Sequence, residues 1–226
     1  MAVVLISGFM ADETLWDDVV QPLAPFGPVI ALALREGATI EDMAQALIPA
    51  LPDRFDLVGF SMGGYVAREI VRLIPERINS LILVATSARG DTEEMIRQRR
   101  SALRSAPERF KGLSRMAIQS SLHPALRGNA EMLSRVRDMG VRLGGHVFQR
   151  QSLIARDGDL ARLGDIKVPT MVISADQDDL RSDAEQLELV YGITGAAHTT
   201  ISNSGHMIPL EQPAKLAAAL TDWLSR

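Results

Sequence analysis

The sequence predicts an α/β protein with an open, mostly parallel sheet of about six strands, helices on both faces and a small helical insertion. Short aliphatic runs recur along the chain, and most of the first five are apolar continuously rather than at alternate positions. That pattern is typical of strands covered on both faces. Segments with helical spacing separate these runs, and strand–helix alternation indicates an open α/β sheet.

The expected elements follow one another with one interruption. The strands are expected at Ala2–Ile6, Pro28–Leu34, Phe55–Gly59, Leu81–Ala85, Thr170–Ser174 and Thr199–Ile201. The helices are expected at Leu15–Ala24, Ile40–Leu51, Met62–Ile74, Asp183–Tyr191 and Pro213–Leu224. A proline near the start of the last helix fits, because the first helical position needs no N–H.

The interruption spans residues 91–163, which are rich in Arg, Met, Leu and Ala and contain no good strand candidate. Pro107, Pro124, Gly128 and the pair Gly144-Gly145 are expected to divide it into several short helices. We therefore expect an α/β core formed by residues 1–90 and 164–226, with residues 91–163 as a helical lid inserted between two core strands. We call residues 91–163 the lid segment.

Composition narrows the class of protein. The chain has 226 residues, 46% of them hydrophobic, a net charge of -4 and no cysteine. The hydrophobic share is enough for one buried core. The negative net charge argues against a nucleic-acid partner. The lack of cysteine excludes disulfides, thiolate metal sites and a cysteine nucleophile. The N-terminal residues lack the basic region of a signal peptide, and no apolar run is long enough to span a membrane. We expect a cytoplasmic protein without a membrane or nucleic-acid partner; its oligomeric state is left open.

A single serine stands at the junction of a strand and a helix. The run Gly59-Phe60-Ser61-Met62-Gly63 follows the third expected strand and reads G-x-S-x-G, the nucleophile elbow. Ligands of open α/β sheets gather at the C-terminal ends of the strands, where Ser61 would lie. The glycines let strand and helix approach closely, and the N–H of Met62 at the helix start can stabilise an oxyanion. The alternative is that Ser61 only caps the helix.

A serine nucleophile needs a base within hydrogen-bond reach, and the chain has four histidines. His206 follows the last strand and precedes the last helix, so it belongs at the same edge of the sheet as Ser61. His198 lies at the wrong end of that strand. His123 and His146 fall in the lid segment, where surface or packing roles are the simpler interpretation.

The base needs a carboxylate that fixes its tautomer. The loop after the fifth strand, Ala175-Asp176-Gln177-Asp178-Asp179, offers three aspartates. Asp176, Asp179 or the later Asp183 can serve instead as caps of a turn or helix.

These motifs resemble those of the α/β-hydrolase fold family over essentially the full chain. In that family the acid stands fourth in a G-x-x-D stretch, which Ala175–Asp178 matches, so the resemblance implies Asp178. The family's final G-H and E-x-P pattern is matched by Gly205-His206 and Glu211-Gln212-Pro213. The chain order Ser61, Asp178, His206 is also that of the family.

The resemblance further implies an oxyanion hole and a minimal core. The first strand ends in Ile6-Ser7-Gly8-Phe9, where similar enzymes read H-G-x. The resemblance therefore implies that the backbone N–H groups of Phe9 and Met62 form the oxyanion hole. Ser7 replaces the usual histidine, which changes the loop's local hydrogen bonding. The sequence begins at what corresponds to the family's third strand, so a six-stranded core is expected.

Such a triad implies acyl transfer through a covalent acyl-serine, without a metal or organic cofactor. We expect hydrolysis of a small carboxylic ester. The same triad also serves lactonases, thioesterases, carbon–carbon bond hydrolases, acyltransferases and cofactor-free perhydrolases, and a non-catalytic small-molecule receptor is the alternative from another class.

Substrate choice is expected to reside in the lid segment. Its first half carries six arginines against four acidic residues; the arginines are Arg97, Arg99, Arg100, Arg104, Arg109 and Arg115. One hypothesis is an anionic substrate such as a carboxylate-bearing ester. The simpler interpretation is a solvated, arginine-rich helix face.

Overall fold

A single six-stranded sheet organises the protein, in a computed structural model that describes residues 1–104 and 110–226. The strand order is β2-β1-β3-β4-β5-β6, and every neighbouring pair is parallel. The strands are β1 Ala2–Ile6, β2 Val29–Leu32, β3 Phe55–Phe60, β4 Ile78–Val84, β5 Thr170–Ala175 and β6 Ala197–Ile201. The predicted fold class is confirmed, and each strand overlaps its expected range.

Helices cover both faces of the sheet. In chain order they are α1 Asp17–Leu23, α2 Ile40–Leu47, α3 Met62–Leu73, α4 Glu93–Arg104, α5 Arg115–Ser120, α6 Ala130–Leu153, α7 Asp183–Gly192, α8 Ile208–Glu211 and α9 Pro213–Leu224. Helix α2 begins at a capping box in which Thr39 and Asp42 each bond the other's backbone N–H, which fixes its first turn.

Two large apolar clusters of the described residues lie one on each side of the sheet, and a smaller third cluster includes Met10 and Phe148. Val3 and Leu5 pack on the side of α1 and α9, whereas Val4 and Ile6 pack on the side of α2, α3 and α7. Successive strand residues point to opposite faces, so both sides of β1 are buried. This explains why the β1 run is apolar at every position.

Three helices of the lid segment lie between β4 and β5, namely α4, α5 and α6. Gly144 interrupts α6 with φ 84° and ψ 171°, so the helix kinks where the sequence places a glycine pair. A left-handed φ of this kind favours glycine. The expected break at Pro107, together with Glu108 and Arg109, lies outside the described residues.

The order of the strands determines where a ligand can bind. The chain leaves β1 toward β2 on one side and then returns to add β3 on the other. The loops after β1 and β3 therefore diverge at their C-terminal ends, which creates a crevice at this switch point. Phe9 lies three residues after the end of β1, and Ser61 directly follows β3.

Across residues 1–104 and 110–226, none of the helices combines the length and the apolar character needed to cross a bilayer.

Candidate active site

Ser61 lies in a tight turn between β3 and α3. Its backbone has φ 52° and ψ −116°, a region that non-glycine residues rarely adopt and that stores strain. Neighbouring groups hold this conformation. The Ser61 N–H donates to the carbonyl of Val84 at 2.9 Å, and the Ser61 carbonyl accepts from the Thr86 hydroxyl at 2.6 Å. No local motif marks Thr86, so the sequence alone does not indicate its role.

The glycines of the elbow are required by close backbone approach. A Cβ on Gly63 would lie 2.5 Å from the carbonyl oxygen of Ile6, and one on Gly59 would lie 2.6 Å from that of Gly63. Both distances are far below van der Waals contact. The expectation that α3 and the neighbouring strands pass too close for side chains matches this geometry.

His206 bridges the serine and an aspartate. Its Nε2 lies 2.9 Å from Ser61 Oγ, and its Nδ1 lies 2.8 Å from Asp178 Oδ2. When Nδ1 carries the ring proton, the Nδ1–H group donates a hydrogen bond to the carboxylate. The lone pair of Nε2 is then free to accept the serine proton. The His206 side chain is only 7% exposed and that of Asp178 is 0% exposed, so little water competes with this chain of hydrogen bonds.

The other histidines lie elsewhere. His198 is in β6, with its Nε2 2.6 Å from Ser174 Oγ. His123 Nδ1 accepts the N–H of Ala125, and His146 is exposed on α6. None of these three lines the cavity described below.

The three aspartates of the β5 loop have separate environments. Asp178 Oδ1 accepts the N–H groups of Leu180 at 2.8 Å and Arg181 at 3.0 Å, which aims Oδ2 at His206. Asp176 instead accepts the N–H groups of Asn203 and Ser204. Asp179 is exposed and pairs with Arg127. Asp183 is the first residue of α7, next to the capping Ser182.

Glu211 supports the loop that carries His206. Its carboxylate accepts the N–H of Gly205 at 2.8 Å, of Met207 at 3.0 Å and of His123 at 3.0 Å. Burial raises the pKa of the Glu211 carboxyl, and the three N–H donors oppose that rise. The acidic residue of the E-x-P motif therefore connects both flanks of His206 to the lid segment.

The loop after β1 is held by two polar side chains. Ser7 Oγ donates to the carbonyl of Asp12 and accepts from Trp16 Nε1, both at 3.0 Å. Gln151 of the lid segment accepts the N–H of Met10 at 2.8 Å. The N–H of Phe9 has no hydrogen-bond partner within the described ranges. Met62 begins α3, where helix N–H groups lack intrahelical partners.

A cavity of about 390 Å³ opens onto Ser61 and His206. Its described lining also includes Phe9, Met10, Ala11, Phe60, Met62, Gln98, Arg99, Leu113, Ala117, Ser120, Ser121, Val136, Met139, Gln151, Ile154, Arg156, Leu180, Arg181 and Met207. The lid segment thus supplies a large share of the wall. Among the residues that the structure describes, no group of three His, Cys, Asp or Glu side chains is arranged to hold a metal ion.

Comparison with known proteins agrees with the fold and with the class of enzyme. A family model described as "Alpha/beta hydrolase family" matches residues 3–219. A monoacylglycerol lipase from Bos taurus is 24% identical over 99% of this chain and 75% of its own length. A pimeloyl-[acyl-carrier protein] methyl ester esterase from Photobacterium profundum is 27% identical over 78% of this chain and 76% of its own length.

Solved structures show the same likeness. A thermophilic esterase from Thermogutta terrifontis superimposes with a TM-score of 0.86 at 26% identity, covering 100% of this chain and 89% of that one. An enol-lactonase from Burkholderia xenovorans has a TM-score of 0.85 at 21% identity, covering 100% and 91%. The predicted resemblance and the expected hydrolase class are both confirmed. Because a family model matches nearly its whole length, the chain belongs to the alpha/beta hydrolase family.

Proposed function

We propose that this protein is a serine hydrolase that cleaves a small carboxylic ester through an acyl-serine intermediate. The observation that carries the proposal is the unbroken hydrogen-bonded chain from Ser61 through His206 to Asp178, at the wall of a cavity. The names of the lipase and esterase relatives support ester bonds as the target. In this proposal residues 1–90 and 164–226 are the catalytic core, and the lid segment selects the substrate.

In the first half-reaction His206 Nε2 takes the Ser61 proton as Oγ attacks the ester carbonyl. The tetrahedral intermediate carries its negative charge on the former carbonyl oxygen. The backbone N–H groups of Phe9 and Met62 are our candidates for binding that oxygen. His206 then donates its proton to the leaving alkoxide, the C–O bond breaks, and the acyl group remains on Ser61.

Water completes the cycle. His206 removes a proton from a water molecule that attacks the acyl-serine, and the collapse of the second intermediate returns the proton to Ser61 Oγ and releases the acid. Asp178 stabilises the imidazolium of His206 in both halves and keeps Nε2 facing the serine. Gln151 and Ser7 support the loop that carries Phe9, so they act as positioning residues.

Hydrolysis of short-chain p-nitrophenyl esters tests the proposal. The native protein is expected to release p-nitrophenol, and Ser61→Ala is expected to lower kcat by about 10³-fold or more. Ser134→Ala, a substitution at a lid-segment serine that does not line the cavity, is a matched control and should match the native protein. Turnover that survives Ser61→Ala would contradict the proposal.

The alternative chemistries predict other results in the same assay. If a broad ester panel is inert while thioesters, lactones or carbon–carbon substrates are cleaved with the same dependence on Ser61, the acyl-serine mechanism holds and the substrate class is wrong. A receptor without an activated serine would turn over none of them.

A further inference from the structure

The charges on the cavity wall have one sign. Three arginines line the cavity, Arg99, Arg156 and Arg181, and none of its described lining residues is an aspartate or glutamate. Asp178 belongs to the site but lies behind His206, with its side chain fully buried. A cavity lined by cationic side chains and by no anionic ones attracts an anion.

Two of the arginines are fixed by one carboxylate. Asp91 accepts hydrogen bonds from Arg99 Nη1 and Nη2 at 3.0 and 2.5 Å. It also accepts from Arg156 Nε and Nη2, at 2.9 and 2.6 Å. Desolvation by burial opposes ionisation of Asp91, yet these two guanidinium groups lower its pKa to about 2. The trio therefore keeps a net positive charge, and Arg156 Nη1 has no hydrogen-bond partner in the described part of the chain.

Arg181 is buried with little compensation. Its side chain is 10% exposed, and the nearest carboxylate oxygen, on Glu185, lies 3.7 Å from Nη1. Nη1 donates to the carbonyl of Leu180 at 3.1 Å. Nε is buried without a partner, and Nη2 has none among the described residues. A buried cation normally needs a closely paired anion. Arg181 has only the long contact with Glu185, so a ligand carboxylate can supply a closer partner.

Apolar side chains make up much of the remaining wall. Leu113 lines it from the loop before α5, Ala117 from α5, and Val136 and Met139 from α6 before the kink. Val136 and Met139 pack on the α1 and α9 side of the sheet. Ile154, two residues before Arg156, packs on the α3 side. Apolar lining residues therefore stand over both faces of the sheet, and on the α3 side Ile154 precedes the cationic Arg156 by two residues.

We propose that the cationic part, with Arg181 and Arg156 as anchors, binds an ionised carboxylate of the substrate, so that the preferred esters carry a second, free carboxyl group. This inference rests on the proposed ester hydrolysis. Arg181 adjoins the loop of Asp178, since its backbone N–H bonds that carboxylate. A carboxylate held by the Arg181 side chain would therefore lie next to the reacting groups.

A matched pair of esters tests the inference. Mono-(4-nitrophenyl) glutarate and 4-nitrophenyl pentanoate have acyl chains of equal length and differ only in a terminal carboxylate or methyl. The native protein is expected to favour the glutarate by at least about tenfold in kcat/KM. The reason is that charge-assisted hydrogen bonds between arginine and the carboxylate are stronger than the contacts of a methyl group at the same place. A ratio near one, or a preference for pentanoate, would overturn the inference while leaving ester hydrolysis in place.

Variants assign the preference to residues. Arg181→Gln and Arg156→Gln are each expected to reduce the glutarate-to-pentanoate ratio by about tenfold. Arg97→Gln is the control, because Arg97 is an exposed arginine of α4 that pairs with Glu94 and does not line the cavity; it should leave the ratio unchanged. A ratio that falls equally in Arg97→Gln would indicate general electrostatic steering and contradict the assigned site.

A binding measurement separates this inference from the proposed function. Titration calorimetry of glutaric acid monoamide against pentanamide needs no turnover, so it reports on the subsite even if neither ester is cleaved. Binding of the monoamide at least about tenfold tighter, and lost in Arg181→Gln, would support the subsite. Equal binding of the two amides to the native protein would reject it.

Discussion

At the scale of single residues, three aspartates of one loop have the same chemistry but different hydrogen-bond partners. Asp176, Asp178 and Asp179 are neighbours in one loop, and residue chemistry alone left all three open. Only Asp178 contacts His206, because two backbone N–H groups hold its other oxygen. The position that the family resemblance implied is therefore the one that lies beside the base.

Asp178→Asn tests the role proposed for this carboxylate. An amide at this position can present its NH₂ group to His206 Nδ1 and so stabilise the wrong tautomer, which should lower kcat by about 10⁴-fold with little change in folding. Asp179→Asn is the matched control, since Asp179 is exposed and pairs with Arg127 instead. Steady-state kinetics of both variants decide the matter: similar losses in the two, or none in Asp178→Asn, would contradict the assignment.

Some residues of the site were beyond the reach of sequence reasoning. Ser61, His206 and the E-x-P glutamate lie in short motifs, so their neighbourhood is encoded locally. Thr86 and Gln151 support the site from 25 and 141 residues away. Contacts of such separation depend on how the elements pack, and no spacing in the chain indicates them.

At the scale of elements, the strands were predictable because burial on both faces leaves continuous apolar runs. The limits of β1 and α9 agree with the sequence to the residue. The lid segment was less predictable. Helix α6 spans Ala130–Leu153, but the non-helical backbone of Gly144 divides it into two helical halves, as the Gly144-Gly145 pair predicts.

Asp91 connects the start of the lid segment to its end. It is bonded by Arg99 of α4 and by both the backbone N–H and the guanidinium of Arg156 after α6. Its side chain is only 2% exposed, so solvent screens these ion pairs weakly. The carboxylate therefore fastens the two ends of the lid segment to each other.

Asp91→Asn is expected to destabilise the protein in a pH-dependent way. The folded-state pKa of Asp91, about 2, lies below the ordinary value of 3.8. The stabilisation is therefore fully present above about pH 4 and lost as pH falls through about 2. We expect the free energy of unfolding at pH 7 to drop by about 2 kcal/mol in the variant.

Urea unfolding of both proteins at several pH values measures this difference. The difference should shrink as pH falls through about 2, because the native carboxyl then becomes protonated and resembles the amide. Glu94→Gln is the control, because Glu94 is an exposed partner of Arg97 and contributes little. A difference that does not depend on pH would show that Asp91 acts through packing alone.

At the scale of the whole molecule, two apolar clusters on opposite faces of one sheet hold the loops after β1, β3, β5 and β6 at a single edge. That arrangement follows from the order of the strands in the sheet. The α/β alternation in the sequence predicts a parallel sheet but not this order. The lid segment supplies Arg99 and Arg156, as well as apolar side chains, to the lining of the cavity. In the proposed function, substrate choice therefore depends on the assembled molecule, whereas the order of the reactive residues can be predicted from the sequence.

The proposed chemistry requires that Ser61 be activated by His206, and a fluorophosphonate probe measures this directly without a known substrate. Peptide mass spectrometry of the native protein should find the label on Ser61. His206→Ala should be labelled about 100-fold more slowly, because the base that takes the serine proton is gone. A native protein that remains unlabelled at Ser61, or a His206→Ala variant that reacts as fast as the native one, would contradict the mechanism.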